Sequence, residues 1–582
     1  MPKPFFITTA IDYTNGAPHI GHAYEKVLAD VLARYHRLKG EKVFYLTGVD
    51  QHGQKVQQSA EKAGLAPQEY VDGITTKFTA LWEKLDVKYD AWAATTDPLH
   101  KECVRANLQK LWDDKDPATG ESRWLYKKTQ RGFYSVRQEQ FLTDKERGAD
   151  GEFGPEWQPV EEREEENFYF RLTQDPNTGL PGFDPKQWLL DFIAKRSADG
   201  KPFVVPYFRV AELINAVAKL EGDLCISRPA SRLKWGIPFP ESFGAGFVTY
   251  VWFDALVNYI TFVPGHDPHF RHREGNDEGR MTNDESPATG AASPSSVIRH
   301  PSFAQLWPPL HVIGKDIMIP AHGVYWPVML KALGFTDAEM PTLLVHGWWN
   351  ISGAKMSKSL GNIVDPDALA DKYGAEALRY YLMSDIATGK DADFDESRLV
   401  ICYNAALANS LGNLLNRTLN MAAKYREGKL KASDADLGQG SVKAAEKLFP
   451  AAFAAYEIHL ALEAPWGIAL HCNQLIEVMK PWSLAKTTLQ ADQDRLDAVL
   501  YTLAESLRII AILISPVLPF AAHGIFDQLN WKMDEGGPDA GSDTKNRRFR
   551  LSEATWGGLP DGHILGKPIP LFPRIEVQPA AG

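Results

Sequence analysis

The feature that most constrains this fold is an apolar strand that runs directly into a helix near the amino terminus. Residues 5–10 are apolar or β-branched, which is typical of a buried strand. Asn15, Gly16 and Pro18 then supply turn chemistry, and from Ala23 onward apolar residues recur at helical spacing. The chain is therefore expected to open with the first strand and the crossover helix of a parallel α/β unit.

Two histidines lie at the junction between this strand and this helix. His19 and His22 flank Gly21, at the helix end whose N–H groups lack partners and carry partial positive charge. Imidazole can donate hydrogen bonds to phosphoryl oxygens, and Gly21 lets a ligand approach the backbone closely. These residues favour a phosphate site, although the residues alone leave open that they have no such role.

A second strand is predicted for residues 42–48, so that strand, helix and strand form a right-handed parallel unit. Ligands of such sheets bind beyond the carboxyl ends of the strands. Tyr13, His19, Asp50 and His52 all follow strand ends. We therefore expect these four side chains to converge.

A polar loop after the apolar run 343–345 carries two lysines just beyond Gly353. The loop reads Lys355, Met356, Ser357, Lys358 and Ser359. Lysines on such a flexible loop can swing onto a triphosphate, and the alternative is an ordinary solvated basic loop.

The two histidines and the lysine loop together resemble the signature pair of class I aminoacyl-tRNA synthetases. With Tyr13, residues 47–53 and residues 250–254, the chain resembles the methionyl-tRNA synthetases within that class, along nearly its whole length. The resemblance implies activation of L-methionine by ATP to methionyl-adenylate, followed by transfer to the 3′ end of methionine tRNA, both initiator and elongator.

The resemblance also implies where each ligand binds. His19, His22, Lys355 and Lys358 would stabilise charge on the reacting phosphate, and Mg²⁺ would accompany ATP. ATP is expected at His19, Gly21, His22, Lys355, Met356, Ser357, Lys358 and Ser359. Methionine is expected at Ala10, Ile11, Tyr13, Asp50, Trp252, Ala255, Tyr259 and His322, with Asp50 pairing with its ammonium group. The anticodon is expected at Asn413, Arg417, Pro481 and Trp482, although without the resemblance Trp252 and Trp482 would be taken for core residues.

The chain has 582 residues, more than a single core usually holds. We expect an α/β fold: a Rossmann-like parallel-sheet catalytic domain with an inserted connective domain, followed by an all-α anticodon-binding helical bundle. A core strand is predicted for residues 247–253 and a helix from Asp365 to about Leu382. The expected boundaries are 1–112 and 241–330 for the catalytic halves, 113–240 for the insertion, 331–398 for the lysine loop and stem-contact region, and 399–582 for the bundle and tail.

Composition limits the remaining possibilities. A net charge of −11 argues against a general nucleic-acid coat, and no apolar run is long enough to span a membrane. Four dispersed cysteines and the absence of a signal peptide predict a cytoplasmic protein.

Relatives often hold a structural zinc in the connective domain, in a knuckle that begins Tyr-Cys-x-x-Cys. Here Ser135 and Gln138 stand in place of those cysteines, so no structural zinc is expected, and the glutamates of this region could at most bind a hard cation weakly. A monomer is also expected, since the chain ends soon after its tail, without the dimerising tRNA-binding extension of some relatives.

Other functions remain possible at this point. The leucine, isoleucine and valine enzymes share both motifs, but their large editing insertion does not fit in residues 113–240. The cysteinyl enzyme needs a cysteine-bound zinc. A tRNA-binding module without catalysis is disfavoured by the intact signature residues, and a nucleotidyltransferase for a small metabolite is disfavoured by the helical region.

Overall fold

The computed structural model describes residues 3–135, 140–142, 144–148, 150–173, 183–268, 302–351, 353–355, 363–433, 435, 437–533 and 548–576. In these ranges the molecule has a parallel core sheet, a small antiparallel sheet beside it, and a long helical region toward the carboxyl terminus. The prediction of an α/β core followed by an all-α region is confirmed.

The core sheet brings together strands that are far apart in the sequence. Within the described residues its strands are β1 (Phe5–Thr9), β2 (Asp12–Tyr13), β3 (Val43–Asp50), β4 (Ala91–Ala94), β5 (Val204–Val205), β6 (Leu310–Gly314) and β7 (Thr342–His346). Their order in space is β4, β3, β1, β6, β7, β5, and β2 pairs with the end of β3 beyond β1. All of these pairs are parallel, so their carboxyl ends share one edge.

Alternate residues of the strands face two apolar cores, as expected of a sheet covered on both sides. Ile7 and Leu344 belong to a core that also contains the first helix and the carboxyl-terminal helices. Phe6 and Leu343 belong to a second core on the other face. The long apolar runs in these strands follow from this double burial.

The small sheet beside the core is antiparallel. Its strands are Leu125–Ser135, Gln140–Leu142, Val160–Phe170 and Leu224–Cys225. On Val160–Phe170 the side chains of Glu161, Glu162, Glu164 and Glu166 are exposed, whereas Glu165 is buried and its carboxylate lies 3.2 Å from the Arg232 guanidinium. Strand β5 joins the core sheet from within the range predicted for the insertion, and the domain boundaries stay a prediction.

Helices cover both faces of the core sheet. The α-helices of the α/β and connective regions are Ile20–Leu38, Gln54–Ala63, Pro67–Lys84, Pro98–Asp113, Pro185–Ala198, Val210–Ala218, Val251–Thr261, Phe303–Leu306, Lys315–Ile317 and Trp326–Ala332. Those that follow are Pro366–Tyr373, Ala375–Ser384, Glu396–Cys402, Asn413–Arg426, Gln439–Ala454, Ile458–Met479, Pro481–Leu484, Gln490–Ile514 and Pro519–Gln528. Wider, π-helical turns occupy Met318–Tyr325 and Tyr403–Gly412. Among the described residues, none of these helices combines the length and the apolar character needed to cross a membrane.

Two predicted elements are wrong in detail. Residues 247–253 do not form a core strand: Phe247–Thr249 is a short strand paired outside the core sheet, and Val251 begins a helix. The helix predicted from Asp365 is divided at Gly374, whose φ of 90° interrupts the helical backbone. Asp365 does cap the first of the two helices, through Asp367 N–H.

A buried arginine joins the sheet region to the helical region. Arg379 has no exposed surface and donates to Asp30 at 2.7 Å, to Leu85 O at 3.0 Å, and to Pro516 O and Val517 O at 3.0 and 2.9 Å. Asp30 lies on the first helix, and Pro516 and Val517 follow the longest helix. The two regions are therefore joined by direct polar contacts as well as by a shared core.

Candidate functional site

The first helix begins with an exchange of hydrogen bonds between its two histidines. His19 Nδ1 accepts from Gly21 N–H at 3.1 Å, and His22 Nδ1 accepts from His19 N–H at 3.0 Å. In the neutral ring, Nδ1 accepts only when Nε2 carries the proton, so each ring is a donor at Nε2. A β-carbon at Gly21 would lie 2.9 Å from His19 Cε1, which explains why glycine occupies this turn.

These histidines line a cavity of about 490 Å³ at the carboxyl edge of the core sheet. Its walls come from the ends of β1, β2, β3, β6 and β7 and from the helix Val251–Thr261. All the residues expected to bind methionine line this cavity, together with His19, Gly21 and His22: Ala10, Ile11, Tyr13, Asp50, Trp252, Ala255, Tyr259 and His322.

One wall of the cavity is a helix face. Trp252, Ala255 and Tyr259 lie three and four residues apart, and this spacing places them on the same side of Val251–Thr261. In a strand, side chains alternate between the two faces, so Trp252 and Ala255 would point in opposite directions. The aromatic and β-branched composition of residues 247–253 suggested a strand, but packing of this apolar helix face at the cavity determined the local structure.

A hydrogen-bonded pair forms the deep end of this wall. His322 Nδ1 donates to Ile317 O at 2.9 Å, so its Nε2 accepts from Tyr259 O–H at 2.8 Å. Burial lowers the pKa of His322 to about 4, and the ring is therefore neutral at physiological pH. Two largely apolar rings locked together give a polarizable surface that suits a thioether.

Asp50, at the end of β3, provides a carboxylate in the cavity wall. Burial, assisted by the nearby charge of Asp254, raises the pKa of Asp50 well above its usual value. Thr95 Oγ1 is a distant donor at 3.5 Å. An ammonium ion in the cavity would offset this burial, so Asp50 is suited to bind a cationic ligand group.

His52 does not line the cavity with Tyr13, His19 and Asp50: its backbone N–H donates to Asp50, but its ring bonds to Asp254. Its Nδ1 lies 2.7 Å from Asp254 Oδ2, and His100 Nε2 lies 2.8 Å from the other oxygen. Burial opposes ionisation of Asp254, but the charges and hydrogen bonds of the two histidines lower its pKa. Asp254 lies behind Asp50 and supports the cavity from outside. Sequence reasoning missed His100 because β4, the short strand that precedes it, was not among the strands predicted from the sequence.

The opposite side of the cavity contains polar residues that the sequence reasoning did not select. Glu25 and His346 are joined by a 3.0 Å hydrogen bond, Gly314 is the last residue of β6, and Asp316 follows it. The strand-end rule could have found Asp316 and His346, because both lie at the carboxyl ends of parallel strands. Glu25 gives no such signal, since it lies on the second turn of a helix.

The lysine loop falls mostly outside the described residues. Lys355 belongs to the short strand Ala354–Lys355, which pairs with Trp349–Ile351, and Trp349 lines the cavity. The predicted ATP contacts Met356, Ser357, Lys358 and Ser359 lie outside the described residues, so their roles stay predictions.

The residues expected to bind the anticodon lie together in the helical region. Asn413 is exposed, and Arg417, one turn later, donates to Glu477 at 2.8 Å. Glu477 lies near the end of the helix Ile458–Met479, which leads directly to Pro481 and Trp482. Pro481 is buried, whereas Trp482 is 37% exposed. The alternative of Trp482 as a core residue is therefore wrong.

The chain resembles known proteins along almost all of its length. A family model described as tRNA synthetases class I (M) matches residues 5–152 and 158–419. The methionine–tRNA ligase of Lactococcus lactis is 36% identical over 99% of this chain and 78% of the relative. That of Nostoc sp. is 37% identical over 99% and 98% of the two chains.

A solved structure extends this likeness to the fold. Mycobacterium tuberculosis methionyl-tRNA synthetase, in complex with methionyl-adenylate, aligns with a TM-score of 0.80 at 33% identity. The alignment covers 98% of this chain and 100% of the other. The sheet region and the helical region are both included in it.

Proposed function

The chain belongs to the methionine–tRNA ligases of the class I tRNA synthetases, and from this membership we propose roles for the residues of its cavity. The enzyme activates methionine with ATP and transfers the methionyl group to tRNA. The observation that supports the assignment is that every residue expected to bind methionine lines one cavity with His19 and His22.

The amino acid occupies the side of the cavity formed by Tyr13, Trp252 and Ala255. Its ammonium group pairs with Asp50, and its thioether packs against the Tyr259–His322 pair. A neutral His322 avoids placing a second positive charge near the ammonium. The methionine carboxylate then points toward the helix that begins after His19.

ATP occupies the opposite side, with its phosphates at the start of this helix. The methionine carboxylate oxygen attacks the α-phosphorus and pyrophosphate leaves, so no protein nucleophile is needed. His19 and His22 donate from Nε2 to phosphoryl oxygens as charge develops there. Lys355 and Lys358 supply positive charge when their loop closes, and Mg²⁺ accompanies the nucleotide.

In the second step, a 3′-terminal ribose hydroxyl of tRNA attacks the adenylate carbonyl and AMP leaves. Asn413, Arg417 and Trp482 read the anticodon of initiator and elongator methionine tRNA, and Pro481 fixes the turn that presents Trp482. Single-stranded bases are read by stacking on aromatic side chains and by hydrogen bonds to their edges. Exposed Trp482 offers such a stacking surface.

ATP–pyrophosphate exchange measured with each amino acid tests the specificity, and methionine alone should support it. Lys358→Ala should abolish this exchange without lowering the melting temperature, because a loop lysine contributes to the transition state and not to the core. Exchange with another amino acid, or equal losses of activity and stability, would contradict the assignment.

We further propose a monomeric cytoplasmic enzyme without structural zinc. Ser135 donates to Trp157 O at 2.6 Å, so this position makes a protein hydrogen bond where a zinc site would need a thiolate. Among the described residues there is no cluster of three or more metal-binding side chains. Elemental analysis and light scattering are the direct measurements.

A further inference from the structure

A buried lysine near the cavity has no role in the mechanism described above. Lys26, on the first helix, has no exposed surface. Its Nζ lies 2.7 Å from Asp12 Oδ1, 2.9 Å from Glu25 Oε1 and 2.8 Å from Ala10 O. An ammonium group has three donors, so Lys26 uses all of them within the protein.

The three partners of Lys26 line the cavity on two neighbouring elements. Ala10 lies in the break between β1 and β2 and Asp12 begins β2, beside Ile11 and Tyr13, and we call this segment the methionine wall. Glu25 lies on the helix of His19 and His22, and its second oxygen bonds to His346 at the end of β7. We call the start of this helix, with His19, His22 and Glu25, the ATP wall. The Lys26 ammonium group therefore links the methionine wall to the ATP wall.

Stability alone does not explain this cluster, because removing charges from water costs several kcal/mol per ion even when the ions are paired. Burial raises the pKa of Asp12 to about 7 in spite of the attraction of Lys26. Burial also opposes ionisation of Glu25, but Lys26 and His346 together lower its pKa. Lys26 therefore holds a carboxylate at the ATP wall in its ionised form.

We propose that Lys26 is a positioning residue for adenylate formation, which fixes the separation between the methionine wall and the ATP wall. This inference rests on the proposed roles of the two walls. The attack needs the methionine carboxylate and the α-phosphorus in one geometry, and a misplacement of about 1 Å can cost roughly 10²-fold in rate. Lys26 itself touches neither substrate in this scheme.

The test measures ATP–pyrophosphate exchange for Lys26→Met and for the double variant Asp12→Asn/Lys26→Met. Methionine keeps the length of the lysine stem, and the double variant also removes the carboxylate that would be left unpaired. We expect kcat to fall about 10- to 100-fold in both variants, with each substrate's KM changed less than about threefold. The double variant should recover the melting temperature that Lys26→Met loses, but not kcat.

Arg34→Met is the matched control. Arg34 is a buried cation on the same helix, 2.7 Å from Asp30 and 3.0 Å from Asp86, and it does not line the cavity. This variant should lose stability while its folded fraction keeps the wild-type kcat.

Several results would overturn the inference. Recovery of kcat together with melting temperature in the double variant would give Lys26 a purely structural role, as would failure of both variants to fold. A change confined to the KM for methionine would make it a binding residue. Wild-type protein without methionine-dependent exchange would instead refute the proposed function, independently of Lys26.

Discussion

At the scale of single residues, two buried acids near the cavity differ because their neighbours differ. Asp254 is held between His52 and His100, and its pKa is lowered. No such pair of histidines bonds to the Asp50 carboxylate in the described part of the chain, and burial with the charge of Asp254 raises the pKa of Asp50. Asp254 thus has its partners within the protein, whereas in the proposed mechanism Asp50 gains its counter-ion when methionine binds.

Asp50→Asn should therefore weaken methionine binding and leave ATP binding unchanged. Removing one partner of a buried charge pair costs about 2–5 kcal/mol, so the KM for methionine should rise at least about 30-fold. In the wild type, KM should also rise as pH falls through the raised pKa of Asp50, because protonation removes the charge that holds the ammonium. The variant should lose this pH dependence, and a KM close to wild type would exclude Asp50 as the ammonium partner.

At the scale of elements, the strand-end rule predicted Tyr13, His19 and Asp50, but Asp316 and His346, which also lie at strand ends, were not selected. Phe5–Thr9, Val43–Asp50 and Leu310–Gly314 are strands whose apolar residues are buried on both faces of the sheet. Residues 247–253 have similar composition, yet Val251 begins a helix. His100 was missed together with β4, and Glu25 could not be found, since only tertiary packing brings it to His346.

The short helix Pro481–Leu484 carries a prediction at this scale. Trp482→Ala should slow charging of methionine tRNA while exchange stays nearly unchanged, because the helix lies outside the cavity. Loss of one stacked base costs about 1–3 kcal/mol, which is about 5- to 150-fold in kcat/KM for tRNA. Phe520→Ala is the control, since Phe520 is 44% exposed on another helix. Equal losses of charging and exchange would contradict the anticodon role.

At the scale of the whole molecule, Arg379 connects the sheet region, which contains the cavity, with the carboxyl-terminal helical region. Its guanidinium bonds to Asp30 and Leu85 on one side and to Pro516 and Val517 on the other. These contacts are fully buried, so water cannot replace them. Together with the shared apolar core, these contacts hold the helical region in position relative to the cavity.

Arg379→Met should lower the free energy of unfolding by about 3–5 kcal/mol, because it leaves buried acceptors without donors. Among folded molecules, charging should fall more than exchange, since only charging needs both regions in register. Arg426→Met offers a comparison, because Arg426 pairs with Asp497 entirely inside the helical region. If both variants changed charging and exchange in the same ratio, Arg379 would have no coupling role.

The contacts of Arg379 also join parts of the nascent chain that are synthesised at very different times. Asp30 leaves the ribosome 349 residues before Arg379, and Pro516 is made 137 residues after it. At a synthesis rate of about 5–20 residues per second, Arg379 is made roughly 20–70 s after Asp30. Pro516 and Val517, whose carbonyl groups accept from Arg379, are made roughly 7–30 s later still. During that time Asp30 has the partners that its own half of the chain supplies, Arg34 and the Lys88 N–H. The buried contact between the sheet region and the helical region is therefore completed only when translation has nearly ended.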